Sequence, residues 1–481
     1  MISPEELQVI GQVLQEILAN DNTARKAAEQ KLNDAKRDQV DKYACYLVSV
    51  LHPSQQFSIE VKSLAAVILR RNISTQALDF SDLKDQSNND NLWLRLSDQA
   101  REFVQQHILE SLQAINDKDK HFHHKICNLA VEVQGAMYEH TDNNIWQALL
   151  NLIFQFTNEP SEFKIEAALT IFNGLFSFIL DHMVKFKTEL VGIFQKTLGN
   201  PVLEIKLAAL QATSNFLQIA ERKDTKAFLP LLPMMVQVVT DALKADDETV
   251  LEDALVEFNE LAEMEPNFFK PDFKTIYDHF KPIISYADFA NSTIRHQPLE
   301  FVVTVVERKT SLVKNDIPLL KDILEQIFKL MIDIDSDIDA SWLHPKEGYQ
   351  IGNDDEEEDA VAFGQSCVDR LVSGVGDAIM LPLISELVMN TISNETDWRY
   401  KNAGILAFSQ VGEYIDDASK IASMIPILEE NMSHQNPKIR HAALHCVGQI
   451  ADDMPGDFQR AYSSTLVPAL MKALDDPVPR V

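Results

Sequence analysis

A segment close to the C-terminal end of the sequence carries the pattern that most constrains the fold. In residues 434–454, HQNPKIRHAALHCVGQIADDM, Asn436 and Pro437 mark a helix start, because proline suits the first helical turn, where its missing N–H is not needed. The apolar residues that follow recur at i, i+4, i+7, i+8 and i+11, which predicts one buried helix face; they are Ile439, Ala443, Cys446, Val447 and Ile450. A second apolar-faced helix, MIPILEENM, precedes this one. The predicted unit is a helix, a short turn and a helix.

The same unit recurs along the chain. Residues 157–176, 198–220, 246–264 and 395–415 each combine a proline or acidic turn with a small residue at a matching offset. A small residue is needed where two helices cross closely; these markers are Ala28, Ala65, Ala130, Ala168, Ala209, Ala254, Gly404 and Ala443. The intervals between them are 37, 65, 38, 41, 45, 150 and 39 residues. The longest would hold three further intervals, and the interval of 65 predicts one repeat plus a long loop.

A period near 40 built from two helices is typical of HEAT and armadillo repeats. We therefore predict an all-α fold, a HEAT-repeat α-solenoid in which antiparallel helix pairs stack into a right-handed superhelix. Residues 1–481 are expected to form a single continuous solenoid of about ten repeats plus the start of another. A polar inter-helix loop is predicted at 74–91 and an acidic loop insert, in about the eighth repeat, at 333–359. The last residues, STLVPALMKALDDPVPRV, stop where a second helix is expected, which predicts the N-terminal portion of a longer protein.

Composition agrees with helices and limits the partners. The 14 glycines are few for 481 residues, which favours helices joined by short loops over sheets with many tight turns. The formal net charge is −30, which disfavours nucleic acid and anionic membranes and favours basic partners. Four widely spaced cysteines are predicted to be buried thiols in a reducing compartment. The N-terminus lacks the pattern of a signal peptide, and no run of 18 uncharged apolar residues predicts a membrane span.

Residues 246–265 hold nine acidic residues and no basic residue. At helical spacing, Val250, Ala254, Phe258 and Leu261 form a predicted buried face. The opposite face carries an acidic stripe, which consists of Asp253, Glu257 and Glu260. A solvated helix face is the simpler interpretation. However, like charges at i, i+4 repel each other, so a stripe of one sign favours a basic ligand.

A second acidic feature is the insert, where residues 333–359 contain eleven acidic residues and Lys346 as the only basic one. Its beginning resembles a calcium loop, but Ile338 replaces the required glycine and His344 the required glutamate, so we reject that interpretation. The histidines of HFHHK, residues 121–125, are predicted to diverge on a helix, and no phosphate-binding or catalytic motif is recognisable. We therefore predict no enzyme, no catalytic residue, no cofactor and no metal.

Five stretches carry a resemblance to a known family: FHHKICNLAVEVQGAM, FKIEAALTIFNGL, VAFGQSCVDRLVSGVGDAIMLPLI, DWRYKNAGILAFSQVGEYI and NPKIRHAALHCVGQIADD. The chain resembles the importin-beta (karyopherin-beta) nuclear transport receptors, and most closely the importin-five (karyopherin-beta-three) branch. The resemblance covers residues 5–481 and places the acidic insert at the family's position, with Trp342 where the family has a tryptophan.

The resemblance implies a carrier that takes basic cargo, such as ribosomal proteins or histones, through nuclear pores and shuttles between cytoplasm and nucleus. It implies that Ran in its GTP form binds N-terminal repeats on the concave side and releases cargo, and that FG-nucleoporins dock between convex-side helices, for which 190–198 and 232–243 are candidates. No nucleic acid and no membrane partner is expected.

The resemblance also assigns the acidic residues. The densest part of the insert is predicted to be a flexible arm for Ran or cargo; it consists of Asp354, Asp355, Glu356, Glu357, Glu358 and Asp359. The stripe Asp253, Glu257 and Glu260 is predicted to bind cargo. The alternative is a HEAT scaffold of another class, of the phosphatase-scaffold or tubulin-binding type, although such scaffolds have more uniform repeats and no large acidic insert.

Overall fold

Helices occupy most of the chain in this computed structural model, which describes residues 3–74, 91–116, 119–140, 143–286, 292–338, 340–344, 356–394 and 396–481. No strand occurs in those ranges. The predicted all-α class is therefore confirmed. By its internal contacts the chain divides into two units, Met1–Val238 and Val239–Val481, which we describe separately.

In the first unit, successive helices pack in pairs: α1 with α2, α3 with α4, α6 with α7, α8 with α9, and α10 with α11. The second helices α4, α7, α9 and α11 also pack on one another in a row. The bounds are α1 Pro4–Leu18, α2 Asn22–Asp38, α3 Val40–Leu51, α4 Ile59–Ile73, α5 Leu92–Arg95, α6 Asp98–Gln113, α7 Lys120–His140, α8 Gln147–Phe156, α9 Glu162–Met183, α10 Lys187–Leu198, α11 Leu203–Ile219 and α12 Arg222–Thr225. Helix α13, Leu232–Ala245, contains the boundary between the units.

The second unit repeats this arrangement, with the pairs α15–α16, α17–α19, α20–α21 and α22–α23. Here the row of second helices is α14, α16, α19, α21 and α23. The bounds are α14 Glu248–Met264, α15 Phe273–Ile284, α16 Gln297–Arg308, α17 Ile317–Ile332, α18 Ala340–Leu343, α19 Glu356–Val375, α20 Asp377–Ile392, α21 Trp398–Phe408, α22 Ile425–Asn431, α23 Pro437–Asp453 and α24 Asp457–Ala473. A 3-10 helix, Ser409–Tyr414, continues α21 and contacts α19 and α23.

The small residues that mark the repeat are buried, as the close crossing of helices requires. Each of the seven marker alanines has no exposed surface, and Gly404 is buried as well. A Cβ atom at Gly404 would lie 2.3 Å from the Thr391 Oγ1 of α20, so α20 and α21 can approach this closely only with glycine at that position. The helix start predicted from Asn436 and Pro437 is also confirmed, because the Asn436 side chain accepts a hydrogen bond from the Lys438 N–H at 2.9 Å.

Among the described residues, two helical stretches are long and apolar enough to cross a membrane by length and composition alone, Glu162–Leu198 and Arg222–Ala245. Their most apolar windows are 50% and 44% buried inside the protein, as is usual for core helices. Cys127, Cys367 and Cys446 are buried free thiols, and Cys45 is half-buried, so the prediction of buried cysteines is confirmed for three of the four.

Both predicted loops fall partly outside the described residues. Helix α4 ends at Ile73, and residues 75–90 lie outside the described ranges. Helix α19 begins at Glu356, so the last four residues of the predicted insert are helical, and the bounds of the insert stay a prediction. Acidic residues in the first turn of a helix are stabilised by the partial positive charge of the exposed N–H groups, so a run of acids can begin a helix as well as form a loop.

Candidate protein-binding surfaces

The acidic stripe on α14 has the geometry that its spacing predicts. The face opposite the stripe is buried, with Ala254, Phe258 and Leu261 showing no exposed surface. Asp253 and Glu260 are exposed and Glu257 is half-buried. Asp247 caps the start of the helix, because its carboxylate accepts a hydrogen bond from the Val250 N–H at 3.1 Å. The stripe therefore lies on the solvent side of the second-helix row.

A cluster of phenylalanines fixes the orientation of the stripe. The Phe258 ring lies 5.2 Å from Phe280, 5.7 Å from Phe301 and 5.8 Å from Phe269 between ring centroids. These rings come from α15, α16 and the 3-10 helix Pro266–Phe269, so α14 cannot rotate about its axis without breaking the core. The carboxylates are therefore presented by a rigid element.

The next helices of the row neutralise part of their own acidic charge. The Arg370 guanidinium of α19 reaches both Glu300 and Glu307 of α16, each at 2.9 Å, and donates to the Thr304 Oγ1 at 2.8 Å. The carboxylates of Glu300 and Glu307 therefore share one cation, which the neighbouring helix of the row supplies.

Farther along the row, the structure brings together four acidic residues that the sequence analysis did not single out: Asp369, Glu413, Asp452 and Asp453. The Tyr414 hydroxyl donates to Asp369 at 2.8 Å, and Gln449 Nε2 donates to Asp453 at 2.9 Å. Burial first, and then the hydrogen bond to Asp369, raise the pKa of the Tyr414 hydroxyl to about 12. The four acids come from α19, α23 and the 3-10 helix between them, so only the tertiary fold reveals the cluster.

This cluster makes a testable prediction about pH. Burial first, and then the charges of Asp452 and Asp369, raise the pKa of Asp453. The folded state therefore binds a proton more readily than the unfolded state, so this residue lowers the free energy of unfolding as the pH rises from the unfolded pKa through the folded one. We expect Asp453→Asn to raise the melting temperature by about 1–2 °C at pH 7 and to leave it unchanged below the unfolded pKa of about 3.9.

Thermal unfolding followed by circular dichroism across this pH range provides the measurement. Asp278→Asn removes one carboxylate from an exposed position on α15, outside the cluster, and serves as the control for the loss of one negative charge. An equal gain from Asp453→Asn at both ends of the range would contradict the assignment.

The insert is only partly described. Asp354 and Asp355 lie outside the described residues, and Glu356, Glu357, Glu358 and Asp359 belong to the first turn of α19, where the structure describes the helix but not these side chains. The predicted acidic arm, Asp354 to Asp359, thus stays a prediction. The beginning of the insert does pack on other helices: Asp333 pairs with Arg295 at 2.7 Å, and Trp342 is 5% exposed.

An apolar hollow of about 450 Å³ opens on the second helices α4 and α7 of the first unit. Leu18, Leu64, Val67 and Phe122 line the hollow, and charged residues line it as well. Val67 and Leu18 are 43% and 46% exposed. Such exposure of aliphatic side chains in one concave place is typical of an interaction site. By contrast, the apolar residues of 190–198 and 232–243 that were candidates for nucleoporin clefts are largely buried, among them Phe194 and Met235.

Metal-binding clusters do not assemble in the described ranges. No group of three or more histidine, cysteine, aspartate or glutamate side chains there has an arrangement that could hold a metal. Of the predicted diverging histidines, His123 is buried and His124 contacts Glu166 at 3.3 Å. The absence of an enzymatic activity stays a prediction.

Comparison with known proteins bears on these surfaces. A family model described as importin-five-like with TPR repeats matches residues 118–279, a model of the importin repeat matches 288–382, and a HEAT-repeat model matches 424–454. The chain is 22% identical to a probable importin-5 homolog of Dictyostelium discoideum over 88% of its own length and 38% of that protein. It is 21% identical to importin-4 of Mus musculus over 96% of its length and 40% of that protein. The chain belongs to the importin-beta family. Within it, the matches place the chain in the importin-five branch.

The family assignment agrees with the fold. The chain superposes on the crystal structure of Kap121p with a TM-score of 0.83 at 19% identity, covering 100% of this chain and 44% of Kap121p. A crystal structure of Kap121p bound to RanGTP gives a TM-score of 0.80 at 19% identity, with 98% and 43% of the two chains covered. The HEAT-repeat solenoid is therefore confirmed. The importin chain described here spans less than half the length of these relatives, and the number of its repeats stays a prediction.

Proposed function

We propose that this chain acts as a nuclear import receptor, which carries basic cargo through nuclear pores and releases it when Ran-GTP binds. The observation that carries the proposal is the importin family assignment, combined with a one-sign acidic stripe that a rigid helix presents to solvent. Kap121p, which shares the fold, has been crystallised with RanGTP, with Nup53p and with Ste12p. We infer corresponding partners for this chain: Ran-GTP, FG-nucleoporins and basic proteins, in a receptor that shuttles between cytoplasm and nucleus.

For cargo, we assign the stripe Asp253, Glu257 and Glu260, with the acidic run Asp354–Asp359 as a second attractor. A net charge of −30 steers cationic proteins toward the chain over long distances, and local carboxylates then determine where they bind. Binding of this kind needs no covalent chemistry and no cofactor. We assign the stripe by the charge and exposure of its residues, and the acidic run by its charge alone.

For Ran-GTP, we assign the apolar hollow on α4 and α7. It lies on the second-helix row of the first unit, and its exposed aliphatic residues can be covered by a protein surface of matching shape. The charged residues that line the hollow, among them Glu60 and Lys125, can fix the orientation of a partner.

A pull-down with Ran loaded with GTP or GDP tests the proposal. We expect the chain to retain the GTP form and not the GDP form, and we expect Val67→Glu to weaken the GTP complex at least about tenfold, because moving a carboxylate from water into a largely apolar contact costs free energy. Val9→Glu is the matched control, since Val9 is 63% exposed on α1 and does not line the hollow.

The control variant should bind Ran-GTP like the wild-type chain. Equal retention of both nucleotide forms, or of neither, would contradict the receptor and favour the scaffold alternative. Unaltered binding by Val67→Glu would remove the hollow from the proposal while leaving the receptor intact.

A further inference from the structure

The first part of the insert extends from its own helix pair, α17–α19, to the next pair, α20–α21. We call residues 333–338 and 340–344 the strap; it follows α17. On α21, the Arg399 Nη1 donates to the Ile334 carbonyl at 2.7 Å and the Trp398 Nε1 donates to the Ser336 carbonyl at 3.0 Å. A side chain of the neighbouring pair thus satisfies each of these two strap carbonyls, which fixes the path of the strap along the start of α21.

The strap then reaches one pair farther, where Trp342 is inserted between groups of α23 and the segment after α24. The Lys438 Nζ lies 4.4 Å and the Arg480 Cζ 5.5 Å from the centroid of the Trp342 ring. The His441 ring meets the indole edge to face at 5.7 Å and 84°. Since Trp342 is only 5% exposed, these contacts nearly enclose it.

Connections of this kind are unusual in a solenoid, where each repeat contacts mainly its neighbours and the array bends by small rotations between repeats. Here the strap belongs to the α17–α19 pair, contacts the α20–α21 pair through Arg399 and Trp398, and ends on α23 of the third pair. A tie that spans three successive pairs opposes their relative rotation.

The chemistry of the contact indicates what could open it. A tryptophan face attracts ammonium and guanidinium groups, and such contacts strengthen when they are shielded from water. Both cations at Trp342 are provided by the chain itself, on a protein with a net charge of −30. A lysine- or arginine-rich ligand offers the same two groups and can replace Lys438 and Arg480 on the ring.

We propose that the strap is a releasable tie, which holds the α17–α19, α20–α21 and α22–α23 pairs in one arrangement through the contacts of Trp342. A basic polypeptide opens this tie. The opening step rests on the proposed function, because it requires a basic ligand; the tie itself does not. Binding of cargo and bending of this part of the solenoid would then be coupled.

Hydrogen exchange measured by mass spectrometry on the whole chain tests the tie without any ligand. We expect Trp342→Ala to speed exchange at least about tenfold in peptides covering the strap and the first turns of α21 and α23, with no change in the first unit. The double variant Lys438→Gln with Arg480→Gln removes the cations but keeps the indole, and it should also speed exchange in the same peptides. Unchanged exchange of the strap in both variants overturns the tie.

Opening is tested on the wild-type chain with a nine-residue polyarginine peptide, whose binding is measured separately by fluorescence anisotropy. We expect saturating peptide to raise strap exchange to the level of Trp342→Ala. Binding without faster strap exchange overturns the opening step and leaves the proposed function standing, whereas no binding at all counts against both.

Discussion

Replacing Phe301 by alanine should destabilise the second unit by about 3–5 kcal/mol, the range for removing a large aromatic residue from a packed core. Phe301 has no exposed surface and is the centre of the phenylalanine cluster, with ring centroids at 4.8 Å from Phe269, 5.3 Å from Phe280 and 5.7 Å from Phe258. Alanine leaves a cavity among rings that belong to α14, α15 and the 3-10 helix Pro266–Phe269. The surrounding helices can fill such a cavity only in part.

Because a repeat array need not unfold in one step, the effect should be read locally. Hydrogen exchange in α14 and α16 should become roughly 10² to 4 × 10³ times faster in Phe301→Ala, as 1.4 kcal/mol corresponds to a factor of ten, while α7 and α9 of the first unit should be unaffected. Met264→Ala on α14 is the control, since Met264 is 62% exposed. Similar exchange in the two variants would show that the cluster does not hold these helices together.

Local periodicity predicted most of the fold because a helix face depends on residues that are near in sequence. The spacing of Val250, Ala254, Phe258 and Leu261 identified a face that is buried, and the marker alanines identified crossings with no exposed surface. Asn436 and Pro437 predicted a helix start to the residue. In each case the signal and the structure it specifies lie within a few turns.

The insert shows where this reasoning stops. Its acidic residues predicted a loop from 333 to 359. However, α19 begins at Glu356, and Trp342 is enclosed by Lys438, His441 and Arg480. Those partners are far from Trp342 in the sequence and belong to other helix pairs, so no periodicity connects them. The cluster of Asp369, Glu413, Asp452 and Asp453 was missed for the same reason.

Reversing the charge of the α14 stripe is expected to give the largest change in binding. In the triple variant Asp253→Lys, Glu257→Lys and Glu260→Lys, affinity for a lysine- and arginine-rich peptide should fall by roughly 10–100-fold at low salt, because attraction becomes repulsion at three adjacent sites. The stripe contributes little to the core, since its residues are exposed or half-buried, so melting should change little. Fluorescence anisotropy with a labelled peptide measures the affinity.

A control must separate the stripe from the total charge. The variant Asp278→Lys, Glu429→Lys and Glu430→Lys alters the net charge equally, at exposed positions of the first helices α15 and α22. If the stripe is the binding surface, the control should retain most of the affinity, and the difference between the two variants should shrink as salt shortens the Debye length to about 8 Å near 0.15 M and below that at higher salt. If both variants lose the same affinity, the peptide responds only to the net charge of the chain. The stripe would then be an ordinary solvated helix face.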